Sequence, residues 1–161
     1  MWSHGPHYYS HKHNKVGLDY ELGISLVENH LLWMRGPFPA ESNDITIFRV
    51  RGLRDQLIER QQKAIGDKGY NGGPNCVSTY NAHDNEGVKL FKSRALGRHE
   101  SFNGLLKQNK IFDTRFRHNK ERFACAFEAC CVLTHYRIIE TEIPLFYIVI
   151  EDVVVKYKED S

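Results

Sequence analysis

The first clear hydrophobic pattern in the chain is an alternation of apolar and polar positions that begins at Leu18. This period of two predicts a strand with one buried face. Residues 28–30 then predict a tight turn, and residues 31–35 predict a second strand that returns beside the first as a hairpin. Because proline cannot donate a hydrogen bond to a neighbouring strand, we expect the second strand to end at residues 36–39. The apolar members of the alternation are Tyr20, Leu22, Ile24 and Leu26.

Apolar residues at helical spacing follow, and they predict one helix from Asp44 to about Glu59. Ser42, Asn43 and Asp44 are each good N-cap residues, so Asp44 has a structural interpretation as a cap. Residues 61–66 then predict a short buried strand that ends at Asp67. An apolar strand that ends in an Asp at a glycine turn is how α/β proteins present a carboxylate.

Two long helices are predicted in the second half of the chain, after a loop at residues 71–87 that is dense in turn-forming residues. The first helix runs from Val88 to about Asn109. The second runs from Lys120 to about Ile139 and has almost no polar face, so we expect it to be buried against the sheet. Residues 18–140 therefore form the predicted α/β domain, and residues 141–161 form a tail with one possible strand.

Residues 1–17 show no periodicity and predict a loop or an extended N-terminal arm. Four histidines lie in this arm, and they suggest either a metal cluster or an ordinary polar surface loop. Because the surrounding residues are polar and include no Cys, the loop is the favoured interpretation. The four histidines are His4, His7, His11 and His13.

Composition and charge narrow the class of protein. The 161 residues carry 22 basic and 20 acidic side chains, a formal charge of +2, so any nucleic-acid contact must come from local clusters. No apolar run is long enough to span a bilayer, and the N-terminus does not look like a secretory signal. The four cysteines lack metal-ligand spacing and predict reduced, buried thiols. We therefore expect an intracellular protein that is neither secreted nor bound to a membrane.

Two acidic residues suggest chemistry. Glu100, Asn103 and Lys107 lie on one face of the predicted helix because their offsets are three, four and seven residues. Asp67 at a strand end and Glu100 on a helix can share a divalent cation across a crevice. Lys107 could then neutralise a substrate phosphate.

Basic residues are interleaved with aromatic ones between residues 89 and 118. They fit either a surface that contacts a phosphate backbone or a solvated helix face, and the pattern leaves both open. The basic residues are Lys89, Lys92, Arg94, Arg98, Lys107, Lys110, Arg115 and Arg117, and the aromatic ones are Phe112 and Phe116.

Several short motifs occur in the order typical of one family. They are YSHK at residues 9–12, YELGIS at 20–25, WMRGPFPA at 33–40 followed by Asn43 and Asp44, GDKGY at 66–70, RHESFN at 98–103 with Lys107 beyond it, and FRH at 116–118. On these motifs, roughly residues 8–137 resemble the DDE superfamily endonuclease domain of Harbinger-type transposases and their domesticated relatives.

The resemblance implies a ribonuclease H-like fold, a mixed sheet with helices on both faces, in a nuclear or otherwise intracellular protein. It also implies three acidic residues that hold Mg²⁺ or Mn²⁺ for DNA strand cleavage. By motif, Asp67 matches the second Asp and Glu100 the final Glu, while Asp44 matches a further Asp that contributes to the site. DNA is the implied partner, with a separate DNA-binding protein left open. The residues expected to contact the DNA backbone are Lys107, Arg98, Arg94 and Arg117.

The first Asp of the family lies on a strand upstream of residues 9–12, and no Asp precedes Asp19 in this sequence. Asp19 falls in the wrong element, at the start of the hairpin. We therefore expect a truncated domain that lacks its first strand, binds metal weakly and cleaves little DNA by itself. The alternatives are a non-catalytic DNA- or protein-binding remnant, and a fragment whose exposed sheet edge makes it prone to association.

Overall fold

The computed structural model describes residues 8–10, 15–50, 52–72, 76–112, 116, 118–141 and 145. They form a mixed α/β structure of three small sheets and four α-helices. The strands are β1 (Tyr9–Ser10), β2 (Lys15–Val16), β3 (Leu18–Ile24), β4 (Leu31–Pro39), β5 (Ala64–Ile65) and β6 (Val77–Ser78). The helices are α1 (Asp44–Val50), α2 (Leu53–Glu59), α3 (Glu86–Lys107) and α4 (Lys120–Glu140), with short 3₁₀ turns at Lys68–Tyr70 and Lys110–Phe112.

The predicted hairpin is confirmed as the antiparallel pair β3 and β4. The predicted end of the second strand is wrong, because β4 continues through both prolines to Pro39, which pairs with Leu18. Two features accommodate the prolines. Among the described residues β3 is the only partner of β4, and the register shifts between Asp19 and Glu21. Edge strands and irregular pairs are where a strand tolerates proline.

The single helix predicted for residues 44–59 is observed as two helices, α1 and α2. The chain turns at Gly52, whose φ of 99° lies in the left-handed region. A side chain there would be strained, and its Cβ would also lie 2.8 Å from Nη1 of Arg35. The prediction failed because the apolar spacing continues across the break, so hydrophobicity alone does not reveal it.

The predicted strand at residues 61–66 is shorter than expected, since only Ala64–Ile65 pair. Their partner is Val77–Ser78, which runs parallel to them inside the segment that we predicted as loop. The backbone nitrogens of Ala64 and Gly66 donate to the carbonyls of Cys76 and Ser78 at 2.8 and 3.1 Å. A two-residue strand carries no periodicity, so only its partner reveals it.

Both long helices are confirmed within two residues of their predicted bounds. They pack together over one face of the hairpin, where the fully buried core forms. Its members are Phe102, Leu106, Cys131, Ile138 and Leu145. The predicted packing of α4 against the sheet is confirmed, since α4 contacts β4 and supplies core residues. The helix is not fully buried, however, because its other side exposes Val132, Leu133, Tyr136 and Ile139. Composition shows that a helix is apolar but not how many of its sides are covered.

The remaining predictions meet mixed outcomes. The arm contains a short antiparallel strand pair, β1 with β2. Its four histidines lie outside the described residues. All four cysteines are free, but Cys125 is exposed, which corrects the expectation of buried thiols. The possible strand in the tail lies outside the described residues. Among the described helices, none is both long and apolar enough to cross a membrane.

Candidate functional site

Asp67 follows the short strand β5 after one glycine and begins the 3₁₀ turn Lys68–Tyr70. Its Oδ1 accepts a hydrogen bond from the backbone N–H of Gly69 at 2.8 Å. This bond caps the turn and holds the carboxylate in place. Because Asp67 is exposed, its carboxylate remains open to solvent.

Asp44 lies beside Asp67 although 22 residues separate them in the sequence. A Cβ placed on Gly69 would be 2.5 Å from Oδ2 of Asp44 and 3.0 Å from Oδ1 of Asp67. Both carboxylates therefore close over the same side of Gly69, and a side chain there would displace them. Asp44 is the first residue of α1, and the Asn43 carbonyl accepts from Ile47 N–H, so Asn43 occupies the N-cap position.

Tyr70 is half-buried, and three carboxylates act on it electrostatically. Burial raises the pKa of its phenol, and the charges of Glu21, Asp44 and Asp67 raise it further. The ring packs edge-to-face against Phe48 of α1, with 5.8 Å between the ring centroids. Tyr70 is therefore a neutral hydrogen-bonding group at neutral pH, surrounded by acidic residues.

Glu21 is an acidic residue that sequence reasoning missed. Only 5 % of it is exposed. Its Oε2 accepts a hydrogen bond from the Trp33 indole at 2.9 Å, whereas its buried Oε1 has no hydrogen-bond partner. Burial raises the pKa of Glu21 against the opposing effects of Trp33 and Arg35, and the charge of Asp44 raises it further. The alternation in β3 predicted a solvent-facing Glu21, and no pattern in the sequence indicated its burial.

Glu100 is exposed on α3, next to the partly buried His99. Burial lowers the pKa of His99, while a hydrogen bond to the Leu22 backbone and the charges of Asp67 and Glu100 oppose that change. Asp67 and Glu100 thus both act electrostatically on one imidazole. His99 was not among the predicted site residues, although it directly precedes Glu100.

Asn103 and Lys107 continue the helix face that carries Glu100. Nδ2 of Asn103 lies 3.2 Å from Nδ1 of His99, so Asn103 supports the imidazole from one turn further along the helix. Lys107 is exposed in the last turn of α3. Its predicted role as a phosphate contact stays a prediction.

Arg98 has a different role from the predicted phosphate contact. It is 3 % exposed, and its guanidinium donates to the carbonyls of Ser25 and Glu28 at 3.2 and 2.8 Å and to Oδ1 of Asn29 at 3.3 Å. These bonds fasten the hairpin turn to α3. A guanidinium used inside the fold does not fit a role at the DNA backbone.

Lys92 is likewise buried, with its Nζ 2.7 Å from Oδ2 of Asp84 and 2.8 Å from the Thr79 carbonyl. It closes the loop before α3 rather than facing solvent. Arg94 is partly exposed, and Arg117 lies outside the described residues. The predicted DNA-contact set thus keeps Lys107 and Arg94 among the residues that the structure describes.

The acidic residues suit a hard divalent cation in their chemistry, because carboxylate oxygens are the ligands that Mg²⁺ prefers. Asp44 and Asp67 provide two such groups over Gly69. Within the described ranges, no group of three His, Cys, Asp or Glu side chains is arranged to hold a metal ion. The described site is therefore a pair of carboxylates, Asp44 and Asp67.

Comparison with known proteins assigns a family to this arrangement. The family model described as DDE superfamily endonuclease matches residues 3–135. No curated protein and no solved structure matches the chain. The match covers most of the sequence and includes the segments that carry Asp44, Asp67 and Glu100. The chain therefore belongs to the DDE superfamily endonuclease family.

Proposed function

We propose that this chain is a nuclease domain derived from a Harbinger-type transposase, which cleaves DNA strands with Mg²⁺ or Mn²⁺. The observation that carries the proposal is the convergence of Asp44 and Asp67 over Gly69, with Glu100 acting on the same imidazole as Asp67. Asp67 and Glu100, with Asp44, would hold the cation. When bound, it supplies the positive charge that stabilises the attacking and leaving oxygens.

The other residues at the site position these groups. The Gly69 N–H fixes the Asp67 carboxylate. His99, bonded to the Leu22 backbone, ties α3 and therefore Glu100 to the hairpin. Lys107, on the same face as Glu100, would bind a phosphate of the DNA substrate. A nuclear location and a separate protein that delivers the chain to DNA belong to the same proposal.

The proposal includes weak catalysis by these 161 residues alone. The resemblance assigns a first Asp to a strand of a ribonuclease H-like sheet that precedes residues 9–12, and no Asp stands before Asp19. Cleavage then needs a carboxylate from an upstream segment of a longer chain or from a partner. Without that shared ligand the cation is held loosely.

The test is cation binding followed by plasmid nicking. We expect Mn²⁺ to bind weakly to the purified chain, as seen by electron paramagnetic resonance, and we expect Asp67→Asn to abolish that binding. Asp55→Asn, which changes an exposed Asp paired with Arg54 on α2, is the matched control and should bind Mn²⁺ normally. A chain that binds no divalent cation contradicts the proposed site. If the wild type nicks plasmid DNA and Asp67→Asn abolishes the nicking, only the prediction of weak cleavage by these 161 residues is contradicted.

A second candidate is a non-catalytic DNA-binding remnant. It is favoured by the structural use of the two acids, since Asp67 caps the 3₁₀ turn and Asp44 begins α1. In that case DNA binding should survive Glu100→Ala and should weaken with salt. Lys107→Ala should lower the affinity for all sequences about equally and reduce the salt slope by about one.

A further inference from the structure

Helix α4 is apolar on two sides, an inner side that packs into the core and an outer side that is exposed. The buried residues of the inner side are Cys131, Thr134 and Ile138. On the outer side Val132, Tyr136 and Ile139 are 45, 60 and 40 % exposed. A helix that is apolar on all sides is normally covered on all sides. The outer side of α4 therefore lacks a covering element among the residues that the structure describes.

The outer side carries a regular seam of exposed small and apolar residues. Their spacings are four, three, four and three residues, which is the seven-residue repeat of helices that pack against other helices. Because strand side chains repeat every two residues, this spacing fits a helix as the covering element better than it fits a strand. We name these residues the α4 seam, and they are Cys125, Ala129, Val132, Tyr136 and Ile139.

The order of sizes along the α4 seam favours a second copy of the same helix in antiparallel orientation. The small residues lie toward the N-terminus of α4 and the large ones toward its C-terminus. An antiparallel copy places Tyr136 against Cys125 of the second copy and Val132 against Ala129 of the second copy. A parallel copy would place the large residues against each other and the small ones against each other. Close packing favours large residues against small ones, and so the antiparallel pair.

Charges at the two ends of the seam favour the same orientation. Arg122 and Glu140 are both exposed, and the 18 residues between their positions make about five turns, so the two side chains project from the same side of α4. In an antiparallel pair each Arg122 lies beside Glu140 of the second copy. In a parallel pair like charges would meet at both ends. Such exposed pairs add little affinity, but they select the orientation.

We propose that the α4 seam is a docking surface for a second copy of this chain, with the two α4 helices antiparallel in a two-fold symmetric dimer. The inference goes beyond the proposed function and does not depend on it, because Asp44, Asp67 and Glu100 take no part in the seam. A single helix pair makes a small interface, so we expect a dissociation constant on the order of 10 μM.

The first test is sedimentation velocity of the full chain over concentrations on both sides of that value. We expect the wild type to pass from monomer to dimer. Val132→Glu places a charge in the middle of the seam and should weaken the dimer more than about 100-fold, because a carboxylate is costly to bury without a partner. Leu90→Glu is the matched control, since Leu90 is 53 % exposed on α3, and it should dimerise like the wild type.

The second test exchanges the charges at the ends of the seam. Arg122→Glu adds an acidic residue to the first turn of α4, and Glu140→Arg adds a basic residue to its last turn. Both changes suit the helix dipole, so both variants should fold. Each variant brings like charges together in its own dimer, and we expect it to dimerise about 10-fold more weakly. An equimolar mixture of the two variants pairs opposite charges at both ends and should dimerise like the wild type.

The outcomes decide the inference separately from the proposed nuclease. A wild type that stays monomeric at every concentration overturns it, which is also the result expected if residues 146–161 of the same chain cover the seam. A dimer that Val132→Glu does not weaken uses another surface and overturns it as well. If Val132→Glu fails to fold, the mixture decides, because an effect confined to one chain cannot be rescued by mixing. A mixture no stronger than either variant alone excludes the antiparallel pair.

Discussion

Buried charges occur in two regions of this protein and are compensated very differently. On α3, the ammonium of Lys92 lies against Asp84 and the Thr79 carbonyl, and the guanidinium of Arg98 bonds three groups of the hairpin turn. On β3, Glu21 has one bond, from Trp33, and one unsatisfied oxygen. The first region uses charge to hold segments together. The second buries a carboxylate that is only partly satisfied.

Among the buried charges of these two regions, we expect the largest loss of stability for Arg98→Ala. Removing the guanidinium breaks its bonds to the Ser25 and Glu28 carbonyls and releases the turn. We expect the free energy of unfolding to fall by about 3 kcal/mol, measured by urea denaturation. Arg94→Ala, a partly exposed position on the same helix, should change it by less than about 0.5 kcal/mol. Weaker DNA binding by Arg98→Ala at unchanged stability would instead restore the predicted phosphate contact.

Lys92→Met should destabilise the protein by a somewhat smaller amount. The variant keeps most of the side-chain volume but removes the ammonium that bonds Asp84 and the Thr79 carbonyl. We expect a loss of about 2 kcal/mol in the free energy of unfolding. Lys89→Met is the matched control, because Lys89 pairs with an exposed Glu86 and should matter little. If both substitutions lower the free energy of unfolding equally, the buried contacts of Lys92 contribute no more to stability than the exposed ion pair of Lys89.

The same pair predicts a pH dependence. The hydrogen bond from Lys92 holds the pKa of Asp84 below its usual range. Because the folded-state pKa is lower than the unfolded value of about 3.9, the stabilisation is complete above that value and is lost as the pH falls through the folded-state pKa. The difference in melting temperature between wild type and Asp84→Asn should therefore be largest at neutral pH and shrink in strong acid. A difference that stays constant with pH would exclude the ion pair as its source.

The smallest effect is expected at Glu21, with the opposite sign. Burial raises the pKa of Glu21, so the folded state is penalised as the pH rises through that pKa, and the penalty is absent below the unfolded value of about 4.3. In chelator at neutral pH, Glu21→Gln should melt at or slightly above the wild-type temperature, and the two should converge in acid. Thermal scans across this pH range measure the difference. If Glu21→Gln melts well below the wild type, the Glu21 carboxylate stabilises the fold, as Lys92 and Arg98 do.

The long elements could be predicted because their patterns are local. The alternation from Leu18 and the helical spacing in α3 and α4 each extend over enough residues to identify the element. Short elements could not be predicted in this way. The pairing of Ala64–Ile65 with Val77–Ser78 and the break at Gly52 depend on contacts with distant parts of the chain.

The residues of the candidate site likewise fall into those that the sequence predicted and those that only the structure revealed. Ordered motifs identified Asp44, Asp67 and Glu100, and the family match supports the class of protein, while their metal-binding roles stay predictions. Glu21 and His99 were missed because a charged residue on the polar side of a strand and a histidine on a helix both have ordinary surface interpretations. Arg98 was misassigned for the same reason, since a basic residue on a helix gives no sign that a hairpin turn will cover it.

The sequence by itself determined the hairpin, the two long helices and the family to which the chain belongs, because periodicity and motif order are properties of neighbouring residues. Only the tertiary structure decided which charges are buried and which carboxylates meet. Burial and electrostatic interaction depend on distance in space, and Asp44 approaches Asp67 only because α1 and the 3₁₀ turn pack together over Gly69. Packing likewise buries Glu21, although the alternation along β3 predicted it on the exposed face of the strand.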